Sequence, residues 1–485
     1  MKSLNFTQVP FLSPGTMFST RCAPVRFALC LVCATAAATA PLVGADLRVG
    51  RAKVIITPPV GCVMGNSYGV QISTGVTSDL HAKAVVFEID GAKAAVVACD
   101  LISLHQPIVT RARALIAERT GVAPDRVIMA ATHCHAGPQT HPPLYNLGPE
   151  ASRKINEDYV EKLPGLIAES VRLAEADLQP ARMSVGRGHE DSINFNRRYL
   201  LRNGKVTMGA RAADVVRRMG PIDPEVGVIY LEAPDGTPLA TIVNFALHVA
   251  IVGGTKTSAD YPHTLAETLG RVKGDGMLTV FLNGMSGNIN HVDALFSGRR
   301  LAGEAEAARV GTILAAAVLK TYRNLQPIEP SLFRAMSKPV RVPVPQLAPT
   351  AEQIARAKTV LSQWGKGAPF NEVIQAWRTL DLAEYGRDGF WNSEVQAITF
   401  GRELALVGYP GDSFVELGLY IKQNSPYAFT FVSEQSGNGS ISYVPNEKAF
   451  PEKAYEVESA RVAPGGGELM AVAASRMLTE LFPRP

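Results

Sequence analysis

His133 and His135 sit one residue apart in Ala-Ala-Thr-His-Cys-His-Ala-Gly-Pro (Ala130 to Pro138), at the end of an apolar run from Arg126 to Ala131. If that run is a strand, its period of two places both imidazoles on one face, close enough to share a metal ion or to divide a metal and a proton. Metal-assisted hydrolysis is the chemistry such a doublet would serve. Two histidines that merely hydrogen-bond inside a core are the competing reading. Cys134 lies between them and faces the other way, which suits a buried thiol better than a third ligand.

The elements that must position these groups follow an α/β order. Ala84 to Ile89 and Ala94 to Ala98 read as paired strands around an Asp90-Gly91 turn, and Pro107 to Thr120 as a helix stopped by Gly121. After the strand at Arg126 to Ala131 come a helix over Asp158 to Ala176, β-type runs at Gly227 to Leu231, Ala240 to Phe245 and Leu278 to Leu282, and a helical pattern from Leu301 to Arg323. A Pro-rich connector, Pro339 to Pro349, leads to a Thr350/Gln353 capping box and a helix over Ile354 to Trp364. The tail from Gly467 to Leu481 reads as one amphipathic helix. No internal repeat or low-complexity tract is evident. The expected fold is a layered α/β arrangement, with a mixed or mostly parallel sheet flanked by helices and a helical insertion at about 350–395.

Open α/β sheets bind ligands at the carboxyl ends of their strands. Asp100 follows the run Ala94 to Cys99, His133 and His135 follow Ala131, His248 follows Thr241 to Leu247, and Asn283 to Asn290 follows Val280 to Leu282. Asp412 follows Leu404 to Tyr409 through Pro410-Gly411. Each alone has a bland reading, as a helix cap or a core histidine; together they mark one end of the sheet. His81, His105, His141, His189 and His263 carry no such context and read as surface or cap residues, and Trp364, Trp377 and Trp391 as core or as a lipid-facing group around the insertion.

With 485 residues, 46% hydrophobic and 19% charged, the chain can bury a large core. Residues 1–45 read as a secretory signal peptide: Arg21 and Arg26 precede the apolar run Phe27 to Ala40, and Val43-Gly44-Ala45 offers a cleavage point, with Met17 an alternative start. Secretion or periplasmic export is therefore expected, with no membrane span in the mature chain. Cleavage removes Lys2, Arg21 and Arg26, so the formal charge falls from +4 to +1, which excludes an electrostatic case for nucleic acid. Cys62, Cys99 and Cys134 remain, too few and too scattered for a disulfide framework.

From about Val49 through Glu468 the chain resembles the neutral, non-lysosomal ceramidases, secreted zinc amidohydrolases. Thr132-His133-Cys134-His135-Ala136-Gly137-Pro138 is similar to the family's Thr-His-Thr-His-Ser-Gly-Pro segment, and Asn244-Phe245-Ala246-Leu247-His248 to the segment carrying its second zinc histidine. Pro410-Gly411-Asp412 resembles a Pro-Gly-Glu segment with a zinc-binding carboxylate, and Ser442-Tyr443-Val444-Pro445 the segment supplying a tyrosine ligand. The resemblance implies Zn²⁺ held by His133, His248, Asp412 and Tyr443, with His135 as acid/base or transition-state stabiliser. It also implies cleavage of a linear amide, of ceramide or another N-acyl lipid, by metal-activated water.

Three departures bear on the substrate. Asp412 stands where Glu is usual, one methylene shorter, so its backbone must approach the ion more closely. Gly287-Asn288-Ile289-Asn290-His291 replaces a Gly-Asp-Val-Ser-Pro segment whose serine matters for ceramide cleavage; Asn290 can instead hydrogen-bond an oxyanion. Ceramide-hydrolysing relatives also carry a C-terminal β-sandwich domain, for which a chain ending at Pro485 leaves no room. These changes lead to the expectation of a smaller or more soluble amide. Two other readings remain open: a secreted binding protein on the same fold that has lost turnover, and a metal-dependent esterase or phosphoesterase.

Overall fold

The computed structural model describes residues 46–65, 70–142, 146–295, 301–345, 348–363, 367–386, 388–437 and 441–483. The expected leader at 1–45 and Trp364 lie outside them. Strand β1 (Arg48–Ile55) pairs antiparallel with β2 (His81–Ile89), and β2 with β3 (Ala92–Cys99). The β2–β3 turn is the expected one: Asp90 and Gly91 both have positive φ, 50° and 78°, as a tight two-residue hairpin needs. Helix α1 (Gln106–Thr120) then returns the chain so that β4 (Val127–Ala131) lies parallel to β3, and α2 (Glu150–Ala176) follows. The sheet order is β4-β3-β2-β1, with Gln179–Pro180 as a short edge strand beside β1.

The same plan recurs twice. In the second unit β5 (Arg182–His189), β6 (Glu225–Glu232) and β7 (Pro238–Phe245) are antiparallel, α3 (Tyr261–Lys273) crosses over, and β8 (Leu278–Asn283) lies parallel to β7. Helix α4 (Glu304–Thr321) and the edge strand Gln326–Ile328 complete it. In the third, β9 (Arg334–Pro343) is followed by helices α5 (Ala351–Ser362) and α6 (Phe370–Tyr385) before the chain rejoins the sheet in β10 (Phe390–Phe400) and β11 (Leu404–Gly408). Helix α7 (Val415–Gln423) crosses to β12 (Phe429–Ser433), parallel to β11, and α8 (Gly466–Leu481) closes the unit.

Alternation of apolar side chains explains the packing. Val85, Phe87, Ile229, Leu231, Leu404, Leu406, Phe429 and Phe431 point into one core shared by all three sheets. Their sequence neighbours point outward: Ala84 and Val86 against α1 and α2, Val228 and Tyr230 against α3 and α4, Ala405 and Val407 against α7 and α8. Strands buried on both faces read as continuous apolar runs. Each large side chain so buried contributes roughly 1.5–3 kcal/mol of transfer free energy.

Several expectations change. The sheets are mixed, but antiparallel pairs dominate and each parallel pair sits at one edge, so the mostly parallel alternative does not hold. A threefold repeat of topology exists where the sequence shows none, because only the apolar alternation, not residue identity, has to recur. The Pro339 to Pro349 connector begins as strand: Pro339 and Pro343 lie within β9, an edge of its sheet, where a missing N–H is tolerated. The insertion's helices end at Tyr385, and Trp391 belongs to the long strand β10. The capping box at Thr350 and Gln353 is present as expected. Cys62, Cys99 and Cys134 are buried and free, and the Cys134 thiol donates to Ser258 O over 3.0 Å. Among the described residues no helix is long and apolar enough to cross a membrane.

In each unit the end of the first strand and the carboxyl ends of the third and fourth face the same way, as the strand directions require. The excursions between first and second strands, residues 56–80, 190–224 and 344–389, all leave from that end.

Candidate metal centre

All six residues singled out as catalytic or metal-binding line one cavity of about 600 Å³ at that end of the molecule: His133, His135, His248, Asn290, Asp412 and Tyr443. The first unit supplies His133 and His135 beyond β4, the second His248 beyond β7 and Asn290 beyond β8. The third supplies Asp412 beyond β11 and Tyr443 beyond β12. Each of the three excursions also lends wall residues: Gln71, then Arg197 and Met208, then Phe370 and Trp377.

Local backbone geometry aims these side chains. His133 has φ of 68°, a left-handed conformation costing on the order of 1–3 kcal/mol for a residue with a Cβ. It is held there by Thr132 N donating to Cys99 O (2.8 Å) and Cys134 N to Leu101 O (2.9 Å). Gln435 and Ser442, which also line the cavity, share the strain at φ of 51° and 62°. Asp412 and Tyr443 are placed side by side by a short parallel ladder, Asp412–Ser413 against Tyr443–Val444. The 284–290 loop packs directly on it: a Cβ on Gly287 would lie 2.5 Å from Asp412 O. Asp260, whose role the sequence left open, caps α3 and accepts from Ile251 N and Val252 N (both 2.8 Å), fixing the turn just after His248.

The imidazoles converge. His133 Nε2 lies 3.0 Å from His248 Nε2 and 3.2 Å from His135 Nε2. The ligand atoms of the three histidines all fall within 4.8 Å of one another. Asp412 Oδ2 is 3.4 Å from His133 Nε2 and 3.9 Å from His248 Nε2, and both its oxygens are buried with no hydrogen-bond partner. His133 Nδ1 contacts Ile102 O at 2.8 Å and His248 Nδ1 contacts Ser286 O at 3.1 Å. Carbonyl oxygens only accept, so each Nδ1 carries a proton, and each ring, when neutral, turns a bare Nε2 lone pair toward the other. Two lone pairs and an orphaned carboxylate facing one point call for a cation, and imidazole plus carboxylate is a donor set suited to zinc.

The charges around the point favour a positive occupant, a proton or a metal ion. Burial works against a proton on His133, but the Asp412 carboxylate outweighs it and raises the histidine above its ordinary value. His248 is held well below by burial and by His133. Beneath them Glu434, fully buried, is pushed up to about 8 by burial and by Asp412, partly offset by His133 and Ser286. Glu434 accepts from Ser286 N (3.0 Å), Ser286 Oγ (2.6 Å), Asn283 Nδ2 (3.1 Å) and Ser413 N (2.9 Å). It thereby ties the loop that orients His248 to the strand that carries Asp412.

Tyr443 is buried, its hydroxyl accepting from Arg197 Nη2 at 2.9 Å. Arg197 pairs with Glu456 at 3.0 Å, as does Arg198 at 2.9 Å. Burial opposes the charge on Arg197, and Tyr443, Glu456 and Asp412 hold it in place, raising its pKa. Asn290 Oδ1 accepts from His291 N (2.7 Å), which fixes the plane of an amide whose nitrogen is a donor. Asn288 holds the start of α7 through Val415 N and Glu416, and Ser286 is committed to Glu434. Asp100 takes the loop-fixing role: it accepts from His81 N (3.0 Å), pairs with Lys83 (3.2 Å) and does not line the cavity.

Arg197, Glu434, His105, His141, Asp381 and Arg461 escape the sequence reading. Glu434 was within reach, since it follows strand β12 as Asp412 follows β11. His105 and His141 stack at 4.3 Å in the cavity wall, where a surface or cap role was expected. Of the three tryptophans, Trp377 lines the cavity and Trp391 is core.

No family profile matches the chain. Over 233 residues, 46% of the chain, it is 31% identical to the neutral ceramidase of Pseudomonas aeruginosa, and the match spans a third of that relative's length. The crystal structure of neutral ceramidase from Pseudomonas aeruginosa superposes with a TM-score of 0.69 at 20% identity, covering 91% of this chain and 76% of that one. A ceramidase complexed with C2 gives 0.68 at 19%, covering 90% and 76%. At these identities the structural likeness shows the fold.

Proposed function

We propose that this chain, a relative of the neutral ceramidases in sequence and in fold, is an exported zinc-dependent hydrolase that cleaves a linear amide, of an N-acyl lipid or a smaller N-acyl compound. The observation that carries the metal is the pair of Nε2 lone pairs facing each other beside the orphaned oxygens of Asp412. His133, His248, Asp412 and Tyr443 would hold the ion. Zinc in such a setting polarises a carbonyl and lets water ionise near neutral pH.

The chain's own groups supply the rest. His135 is only half-buried, and Asp412 sits beside His133 and His248, which leaves His135 to hand a proton to the departing nitrogen. An amide needs that proton because its nitrogen leaves poorly as an anion. Asn290 Nδ2 donates to the carbonyl oxygen as charge builds on it. Arg197 keeps the Tyr443 hydroxyl oriented by donating to its oxygen.

Metal analysis and an amidase panel on the mature protein, cleaved near Ala45, test the reading. Stoichiometric zinc is expected, lost in His133→Ala and kept in His135→Ala, with turnover lost in both. Chelator-sensitive release of fatty acid from N-acyl substrates, ceramide among them, supports hydrolysis. Zinc without turnover across amides, esters and phosphoesters, but with ligand retained, would mark a binding protein instead.

A further inference from the structure

A second cavity, of about 880 Å³, lies against the helical insertion and is walled by Leu147, Ile354, Leu361, Leu380 and Tyr385. It shares two lining residues with the metal cavity, His141 and Asp381. Around the His141 ring, His105, stacked at 4.3 Å, and Trp377 at 6.2 Å belong to the wall of the metal cavity. Tyr385, at 6.3 Å, belongs to the wall of the second. His141 Nε2 bonds Asp381 Oδ1 at 2.7 Å, and Arg461 grips Asp381 Oδ2 through Nε (2.8 Å) and Nη2 (2.7 Å). Arg461 is itself tied to Ser459 O. Asp381 rides on α6, Arg461 on the segment before α8 and His141 on the loop after β4, so the three are locked across separate parts of the chain.

We propose that the His141–Asp381 pair is a partition that sets substrate length: it closes the metal cavity, and the chamber behind it is the space into which a longer hydrocarbon chain would extend. The inference rests on the cavity taking an N-acyl group. The side chains on the chamber side are mainly apolar, which suits alkyl carbon, whereas the partition is a buried polar pair anchored by Arg461, which resists an alkyl chain pushing through it. Substrates are thereby limited to those whose acyl arm ends at the imidazole of His141.

The test measures binding of straight-chain carboxylates from four to twelve carbons to the zinc-loaded full-length mature protein, read by displacement of a fluorescent fatty acid and by Trp377 emission. Each methylene buried should tighten binding about fourfold until the arm meets the partition. In wild type the gain stops at one length; in His141→Ala it continues for several more carbons; in His141→Phe, which keeps a ring in place, it stops where wild type does. Equal stopping points in wild type and a folded His141→Ala overturn the partition, and so does extension in both variants. Ile354→Trp, which fills only the chamber, guards against a His141→Ala protein that does not fold. It leaves the wild-type stopping point unchanged if the partition is closed, and shortens it if the partition is already open, which refutes the proposal. Binding of no carboxylate at all by wild type would instead remove the N-acyl reading, and the partition with it.

Discussion

Gly287→Ala tests whether the shorter carboxylate at position 412 reaches the ion because the backbone beneath it is allowed close. A Cβ at 287 would meet Asp412 O at 2.5 Å, Asp412 C at 2.9 Å and Ser413 C at 3.0 Å, all main-chain atoms that cannot rotate away. Gly287 needs no left-handed φ, so the clash is the whole objection. Restoring van der Waals contact takes roughly 1 Å of movement between the 284–290 loop and the Asp412–Ser413 strand. That is several times the ~0.2 Å tolerance of a metal–ligand distance. The same loop presents the Ser286 carbonyl to His248, so two of the proposed ligands shift together. Overpacking of this kind costs about 1–3 kcal/mol in stability, and disturbing the groups that orient ligands costs about 10–100-fold in metal affinity. Zinc affinity by competition with a fluorescent chelator, together with urea unfolding of the metal-free protein, separates the two effects. A Gly287→Ala protein with wild-type zinc affinity and unchanged unfolding midpoint would refute the close-approach argument.

Burial alone would raise the Asp381 pKa, but Arg461 and His141 override it and bring it from 3.8 to about 2. A carboxyl lowered on folding stabilises the protein above its unfolded pKa, so about 2 kcal/mol should be lost as pH falls from ~4 to ~2. Asp381→Asn should lack that acid limb in urea unfolding curves taken across this range. Arg197→Met removes the donor to Tyr443 and leaves Glu456 with Arg198 alone, which should cost about 3 kcal/mol and weaken zinc retention in the same competition assay.

Much of the candidate site was legible because its residues follow strands that are apolar on both faces: the strand ends that carry His133, His248 and Asp412 are visible as abrupt stops in hydrophobic runs. Glu434 obeyed the same rule, but the apolar run of its strand, Phe429–Ser433, is broken by Thr430. Arg197, His141 and Asp381 had no such marker. Their meaning lies in partners 246 and 240 positions away, Tyr443 for Arg197 and each other for His141 and Asp381, a distance over which no local pattern carries information. Pro339 misled for a physical reason, since proline marks a break except at a sheet edge, and β9 is an edge. The recurrence of one sheet plan in three units was hidden for another: the excursions between first and second strands differ in length and content, while the alternation that folds each unit is common to most buried strands.

Because each unit contributes to the cavity, its completion is a late event in the life of the chain. A chain synthesised through α4 already presents His133, His135 and His248, yet has neither Asp412 nor Tyr443, and no Trp377 to wall them in. Such an intermediate offers only imidazoles to any cation it meets, and the proposed carboxylate and phenol ligands come with the last third of the sequence. If an ion is held as proposed, its retention would report that residues from all three sheets have come together.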